Sequence, residues 1–248
     1  MGPPANNGIA LDVRDLRKAF GGVRAVDGCS FQVPRGRISG LIGPNGSGKT
    51  TTFNLLTGVA QPDSGAVLYR NEDLAGLKPY QIFRRGITRT FQITRIYREM
   101  TVFENMLSVT GLAVSDREAR ARAETLLEFV NLTRLRGEYG GRLSYGQQKL
   151  LEFARALMTD PDLILLDEPA AGVNRTLLQS LLEHIHQLQA QGKTILIIEH
   201  DMNVIMNHCE TIFVMDYGVK IAEGPPEAIK RDERVVEAYF GKRAHAPA

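Results

Sequence analysis

The sequence predicts the α/β class: a mainly parallel sheet covered by helices on both faces and interrupted by a helical insertion. Three observations predict it. First, the glycine-rich run Gly43-Pro44-Asn45-Gly46-Ser47-Gly48-Lys49-Thr50 lies between an apolar stretch, Ile38 to Ile42, and a helical continuation through Thr51, Thr52, Phe53, Leu55 and Leu56. Second, apolar runs of strand length recur at Leu163 to Leu166, Ile195 to Ile198 and Ile212 to Met215. Leu177, Leu178, Leu181, Leu182, Ile185 and Leu188 form a helical stripe between the first two. Third, helical signals replace strand signals between Phe91 and about Leu157. Strands that alternate with helices imply a parallel sheet buried on both faces.

The earlier elements read in order. Leu11 to Phe20 alternates in part, and Cys29 to Val33 alternates up to Pro34. Ala66 to Tyr69 follows the turn Pro62-Asp63-Ser64-Gly65. In the insertion, Ser115-Asp116-Arg117-Glu118 is a capping box, in which serine oxygen and glutamate each cover a free amide. Ala119, Ala123, Leu126, Leu127 and Val130 follow at helical spacing. Ser144-Tyr145-Gly146-Gln147 is a second box, opening a helix with Leu150, Leu151, Ala154, Leu157 and Met158 on one face.

Composition sets the bounds. A chain of 248 residues with 43% hydrophobic content can bury one large α/β domain or two small ones. A net charge of +2 implies no general attraction to polyanions or membranes. Cys29 and Cys209 lie far apart without metal-ligand spacing, as expected of reduced core thiols in a cytosolic protein. No apolar run approaches membrane-spanning length, and residues 1–8 lack the apolar stretch of a signal peptide. Any membrane role therefore needs a spanning part from another chain. The ends, 1–8 and 242–248, are expected to be mobile.

The glycine-rich run fills the pattern G-x-x-x-x-G-K-[ST] in the strand–loop–helix context that the chemistry requires. Its glycines let backbone amides turn inward around phosphate oxygens, and the following helix adds its positive end. Lys49 can reach the β- and γ-phosphates, and the Thr50 hydroxyl can sit on Mg²⁺. The strand Leu163 to Leu166 ends in Asp167 and Glu168, at the carboxyl edge where an open α/β sheet places its chemistry. Beside a phosphate loop, Asp167 is expected to hold Mg²⁺, directly or through water, and Glu168 to polarise the attacking water. Without that loop the pair would read equally well as a solvated strand cap. The next strand ends in Glu199-His200-Asp201: His200 is placed to meet a γ-phosphate, and Asp201 to cap the helix holding Met202, Val204, Ile205 and Met206. Gln92, at the border of core and insertion, can serve Mg²⁺ and water together or stand as a plain polar loop residue; the residues alone leave both open.

Together these motifs resemble the ATP-binding subunits of ABC transporters, over about Leu11 to Gly241. Leu143-Ser144-Tyr145-Gly146-Gln147 is similar to the family signature, with tyrosine in its third place. The resemblance implies an ABC-type P-loop NTPase core at about 10–90 and 158–241, with an N-terminal antiparallel β region and a helical subdomain at about 91–157. It implies a nucleotide held by Gly43, Pro44, Asn45, Gly46, Ser47, Gly48, Lys49, Thr50 and Thr51, with Phe20 stacked on adenine. Mg²⁺ would be organised by Thr50, Gln92 and Asp167, and catalysis carried by Glu168 and His200. Ser144, Tyr145, Gly146 and Gln147 would contact the nucleotide of a facing subunit, although an ordinary capped helix accounts for them in isolation. Pro169 to Asn174 resembles the loop between facing subunits, with asparagine in place of the usual aspartate, and Arg175 stands where proline is frequent. Gln92 to about Met106 would border a groove for a cytoplasmic helix of the membrane subunit. The nearby Arg84, Arg85, Arg89, Arg95 and Arg98 read as solvated loop charge or as contacts to an acidic partner.

Arg89-Thr90-Phe91-Gln92, the stretch Arg98 to Asn105, and the ending Glu237-Ala238-Tyr239-Phe240-Gly241 resemble importers of branched-chain amino acids. The expected function is an ATPase that powers such import. The expected partners are a second ATPase subunit of the same or a sister chain, integral permease subunits and, indirectly, a solute-binding protein. Its expected place is the cytoplasmic face of the membrane, as a peripheral protein. Related readings are the ATPase of a urea or amide importer or of lipopolysaccharide export. A soluble ABC ATPase acting on nucleic acid is disfavoured by the balanced charge and the single cassette.

Overall fold

In this computed structural model of the chain, the described residues are 8–91, 93–109 and 115–240. The termini expected to be mobile lie outside them, apart from Gly8.

Two sheets form. β1 (Ile9–Phe20), β2 (Val23–Pro34), β4 (Ser64–Tyr69) and β5 (Glu72–Asp73) make an antiparallel sheet in the order β2-β1-β4-β5. The larger sheet has the order β10-β9-β3-β8-β7-β6. Its strands are β3 (Ile38–Ile42), β6 (Ile87–Arg89), β7 (Leu163–Asp167), β8 (Thr194–Ile198), β9 (Thr211–Asp216) and β10 (Val219–Gly224). All its ladders are parallel except the one joining β9 to β10.

The continuous apolar runs of β7, β8 and β9 have a simple cause. Side chains alternate across a strand, and here each face meets a separate core. Ile164, Leu166, Ile195, Ile197, Ile212 and Val214 enter one; Leu163, Leu165, Leu196, Ile198, Phe213 and Met215 enter the other. The first core is closed by α4 (Asp116–Phe129), α5 (Tyr145–Ala156), α6 (Arg175–Ala190) and α7 (Met202–His208). The second is closed by the antiparallel sheet and by α1 (Lys49–Leu56), through Phe53, Leu55 and Leu56.

α2 (Pro79–Phe83) precedes β6, and among the described residues between β6 and β7 the elements are helical, with α3 (Val102–Leu107) preceding α4 and α5. Both expected capping boxes form. The Glu118 amide donates to Ser115 Oγ at 3.3 Å, and the Gln147 amide to Ser144 Oγ at 3.3 Å. A third, Thr101 with Glu104, opens α3. Cys29 and Cys209 are buried free thiols, and burial pushes each up to about 12.

Candidate active site

The phosphate loop leaves β3 and enters α1 without a free choice of residues. Gly43 has φ 152°, and a Cβ there would lie 2.1 Å from the Met215 carbonyl oxygen. Gly48 has φ 102°, and its Cβ would lie 2.3 Å from the Ala25 oxygen. Any side chain at either position would push the loop off its supports. Lys49 is folded back under the loop: its ammonium donates to the carbonyls of Gly43 and Pro44 at 2.8 and 2.9 Å, and approaches Ser47 Oγ at 3.4 Å. Burial lowers the Lys49 pKa, and the charges of Glu168 and Asp167 oppose that shift. Asn45, Gly46, Thr50 and Thr51 line a cleft of about 470 Å³ whose wall also carries Glu168 and His200. The structure thus brings the phosphate loop and both expected catalytic residues to one opening.

At the end of β7, Glu168 is nearly buried and has φ 49°, an uncommon backbone state for a residue with a side chain. Its main chain is tied to three parts of its surroundings. Its amide donates to the Ile198 oxygen at 2.9 Å, while its own carbonyl accepts from Lys149 Nζ at 3.0 Å and from the Ala171 amide at 3.1 Å. Its carboxylate Oε1 lies 2.8 Å from His200 Nε2. Asp201 caps α7 as expected, accepting from the Asn203 amide at 2.8 Å.

Asp167 is buried and meets Arg89, whose Nη2 donates to Oδ2 at 2.6 Å. The Arg89 side chain is only 5% exposed, and its Nη1 donates to Asn54 Oδ1 on α1 at 2.7 Å. Here the expectation of solvated loop charge fails for Arg89, because β6 delivers its guanidinium inside, between the rings of Phe53 and Phe91. It holds for Arg85, which pairs with the exposed Glu72.

The remaining expectations divide. Phe20 stands exposed at the end of β1 with Lys18 over its ring, but the cleft itself is lined by Val23 to Ala25 and by the exposed Tyr217, which sequence reasoning did not single out. Ser144 and Gln147 are engaged in their own capping box. A Cβ on Gly146 would meet Leu177 of α6 at 2.2 Å, and the ring of Tyr145 lies against Gly172, in the loop Pro169 to Asn174. Asn174 caps α6 by accepting from the Leu177 amide at 2.9 Å. Gln92 lies outside the described residues. A groove of about 310 Å³ is bordered by Tyr80, Phe83, Arg89, Phe91, Val109 and Glu152.

The donor set suits Mg²⁺ bound with a nucleotide. Thr50 lines the cleft with a hard oxygen ligand, Asp167 offers another beside its pairing with Arg89, and no three His, Cys, Asp or Glu residues among those described form a cage. An ion here would draw most of its ligands from phosphate and water, as Mg²⁺ does.

A family profile described as "ABC transporter" matches residues 26–171, and one described as "Branched-chain amino acid ATP-binding cassette transporter" matches residues 219–245. The chain is 40% identical to the high-affinity branched-chain amino acid transport ATP-binding protein BraF of Pseudomonas aeruginosa, covering 94% of this chain and 98% of that one. It is 41% identical to LivG of Escherichia coli K12, of the same description and with the same coverage. Among solved structures, the ADP conformation of the cassette MJ1267 matches with TM-score 0.85 and 37% identity, over 94% of this chain and 99% of that one. The dimeric cassette MJ0796 matches with TM-score 0.79 and 26% identity, over 87% and 98%. A phosphate loop facing a strand-end carboxylate and histidine, in a chain aligned with such relatives along nearly all its length, leads to one assignment: this protein belongs to the ABC transporter family, as one of its ATP-hydrolysing cassettes.

Proposed function

We propose that this chain binds and hydrolyses MgATP to power the import of branched-chain or chemically related amino acids. The observation that carries the hydrolytic reading is the Glu168–His200 contact of 2.8 Å on the wall of the cleft formed by the phosphate loop. The cargo class rests on the similarity to BraF and LivG and on the match at residues 219–245.

The residues divide the work. Loop amides and Lys49 bind the β- and γ-phosphates and offset their charge. Thr50, Asp167 and Gln92 would hold Mg²⁺, which when bound neutralises charge developing on the phosphates. Glu168 accepts a hydrogen bond from the attacking water and directs its lone pair at the γ-phosphorus. His200 meets the Glu168 carboxylate through Nε2 and, when ATP is bound, turns that one N–H to a γ-phosphate oxygen. Phe20 stacks on the adenine. Ser144, Tyr145, Gly146 and Gln147, at the start of α5, face the nucleotide of a second cassette, so that two subunits close on two ATP molecules.

Among the described residues no helix is long and apolar enough to cross a membrane. By its similarity to BraF and LivG, the chain works as a peripheral subunit on the cytoplasmic face, docked on permease subunits that receive cargo from a solute-binding protein. The test is direct. Glu168→Gln should retain ATP binding and lose turnover on the order of 100-fold or more, measured by nucleotide binding and phosphate release. Normal turnover by that variant would remove Glu168 from its role. Copurification from detergent-solubilised membranes checks the permease assignment.

A further inference from the structure

Glu199 is a buried carboxylate that the hydrolytic chemistry does not use. It is 3% exposed and immediately follows β8, one residue before His200. Its two oxygens are spent on two different loops. Oε1 accepts from the Ala170 amide at 2.5 Å, in the loop that follows Glu168. Oε2 accepts from the His200 amide at 3.1 Å. The side chain thus spans the two segments whose residues meet at the Glu168–His200 contact.

We infer that Glu199 is a positioning residue for ATP hydrolysis, clamping the loop after Glu168 to the loop of His200 so that carboxylate and imidazole keep their spacing. The inference rests on the hydrolytic reading of those two residues.

The chemistry of the clamp is specific. Both partners are amide donors, so both ends of the clamp must be acceptors, and only an ionised carboxylate has two. Glutamine has nearly the same shape but turns one end into an NH₂ donor facing an N–H. Burial raises the Glu199 pKa, and the amides of Ala170, His200 and Asp201 oppose it. Lys149, in α5, is the cation set against it: Glu199 is the foremost of the carboxylates that counter the fall in the Lys149 pKa caused by burial. Lys149 also donates to the Glu168 carbonyl, so the left-handed turn at Glu168 is held from the helical side as well. The phosphate loop takes no part in this arrangement. Loosening the clamp should therefore affect turnover and spare nucleotide affinity.

The experiment compares Glu199→Gln with the wild type, alone and in a His200→Ala background, reading steady-state phosphate release and binding of a fluorescent ATP analogue. A displacement of about 1 Å at a reacting group can cost on the order of 100-fold. The expected result is a kcat lowered by about tenfold or more, with analogue affinity within about twofold of wild type, a change that falls within ordinary context dependence. In the His200→Ala background the same substitution should cost much less, because residues acting as a unit are not additive. A wild-type kcat, an equal loss in both backgrounds, or a parallel fall in analogue affinity would each overturn the inference. Should Glu199→Gln fail to fold, Glu199→Asp keeps both acceptors one methylene short, and a wild-type kcat there overturns it equally. A wild-type protein that hydrolyses no ATP would instead refute the reading on which the inference stands.

Discussion

Arg89 and Asp167 illustrate how burial changes the value of a charge. The pair is almost wholly removed from solvent, with side chains 5% and 3% exposed. Removing one member strands the other, which costs about 3–5 kcal/mol. Arg89→Ala should therefore lower the stability measured in urea by that order. Arg85→Ala, which breaks the exposed pair with Glu72, should leave the midpoint nearly unchanged. Nothing in the composition of the 84–98 segment separates these two arginines. Arg89 follows Ile87 and Thr88 on a strand, whereas Arg85 precedes the turn at Gly86; only strand position distinguishes them. Residues that carry a chemical pattern, Lys49, Asp167, Glu168 and His200, were legible in the sequence. Glu199, Lys149 and Arg89 were not, because their partners are main-chain groups or residues distant along the chain that no spacing rule brings together.

Helix ends give the next scale. Asn174 holds φ −75° and ψ 163° and caps α6, with Arg175 as the first helical residue. Asn174→Ala should cost about 1 kcal/mol in denaturant unfolding through the lost cap. Arg175→Pro should have the opposite sign. Proline suits the first helical position, and the backbone at Asn174 already has the extended form that proline demands of its predecessor. A gain of about 0.4–1 kcal/mol is expected, visible as a raised melting temperature. Capping boxes that open long helices, at Ser115 and Ser144, were readable because an apolar stripe follows each. The box at Thr101 was not, since Val102–Leu107 is too short to display a period. β10 escaped for a related reason: its alternation is broken by a register shift between Lys220 and Ala222.

Over the whole molecule, one sheet separates two cores, so adjacent residues of a central strand serve different interiors. Ile164→Ala and Leu165→Ala should each cost about 2–5 kcal/mol, in contrast to a one-faced sheet where alternate positions tolerate truncation. Equilibrium unfolding of the two variants checks this. The thiols of Cys29 and Cys209, buried and raised to about 12, should resist a neutral-pH disulfide reagent until the protein unfolds. The short strands at the margins have a further consequence. The long β2 meets the turn between β9 and β10, where the Asp27 amide donates to the Gly218 oxygen at 2.9 Å. The opposite borders are β5, of two residues, and β6, of three. At these two borders a stray chain finds almost no unpaired ladder to zip onto. Misdirected polymerisation through those two borders is thereby discouraged at high expression.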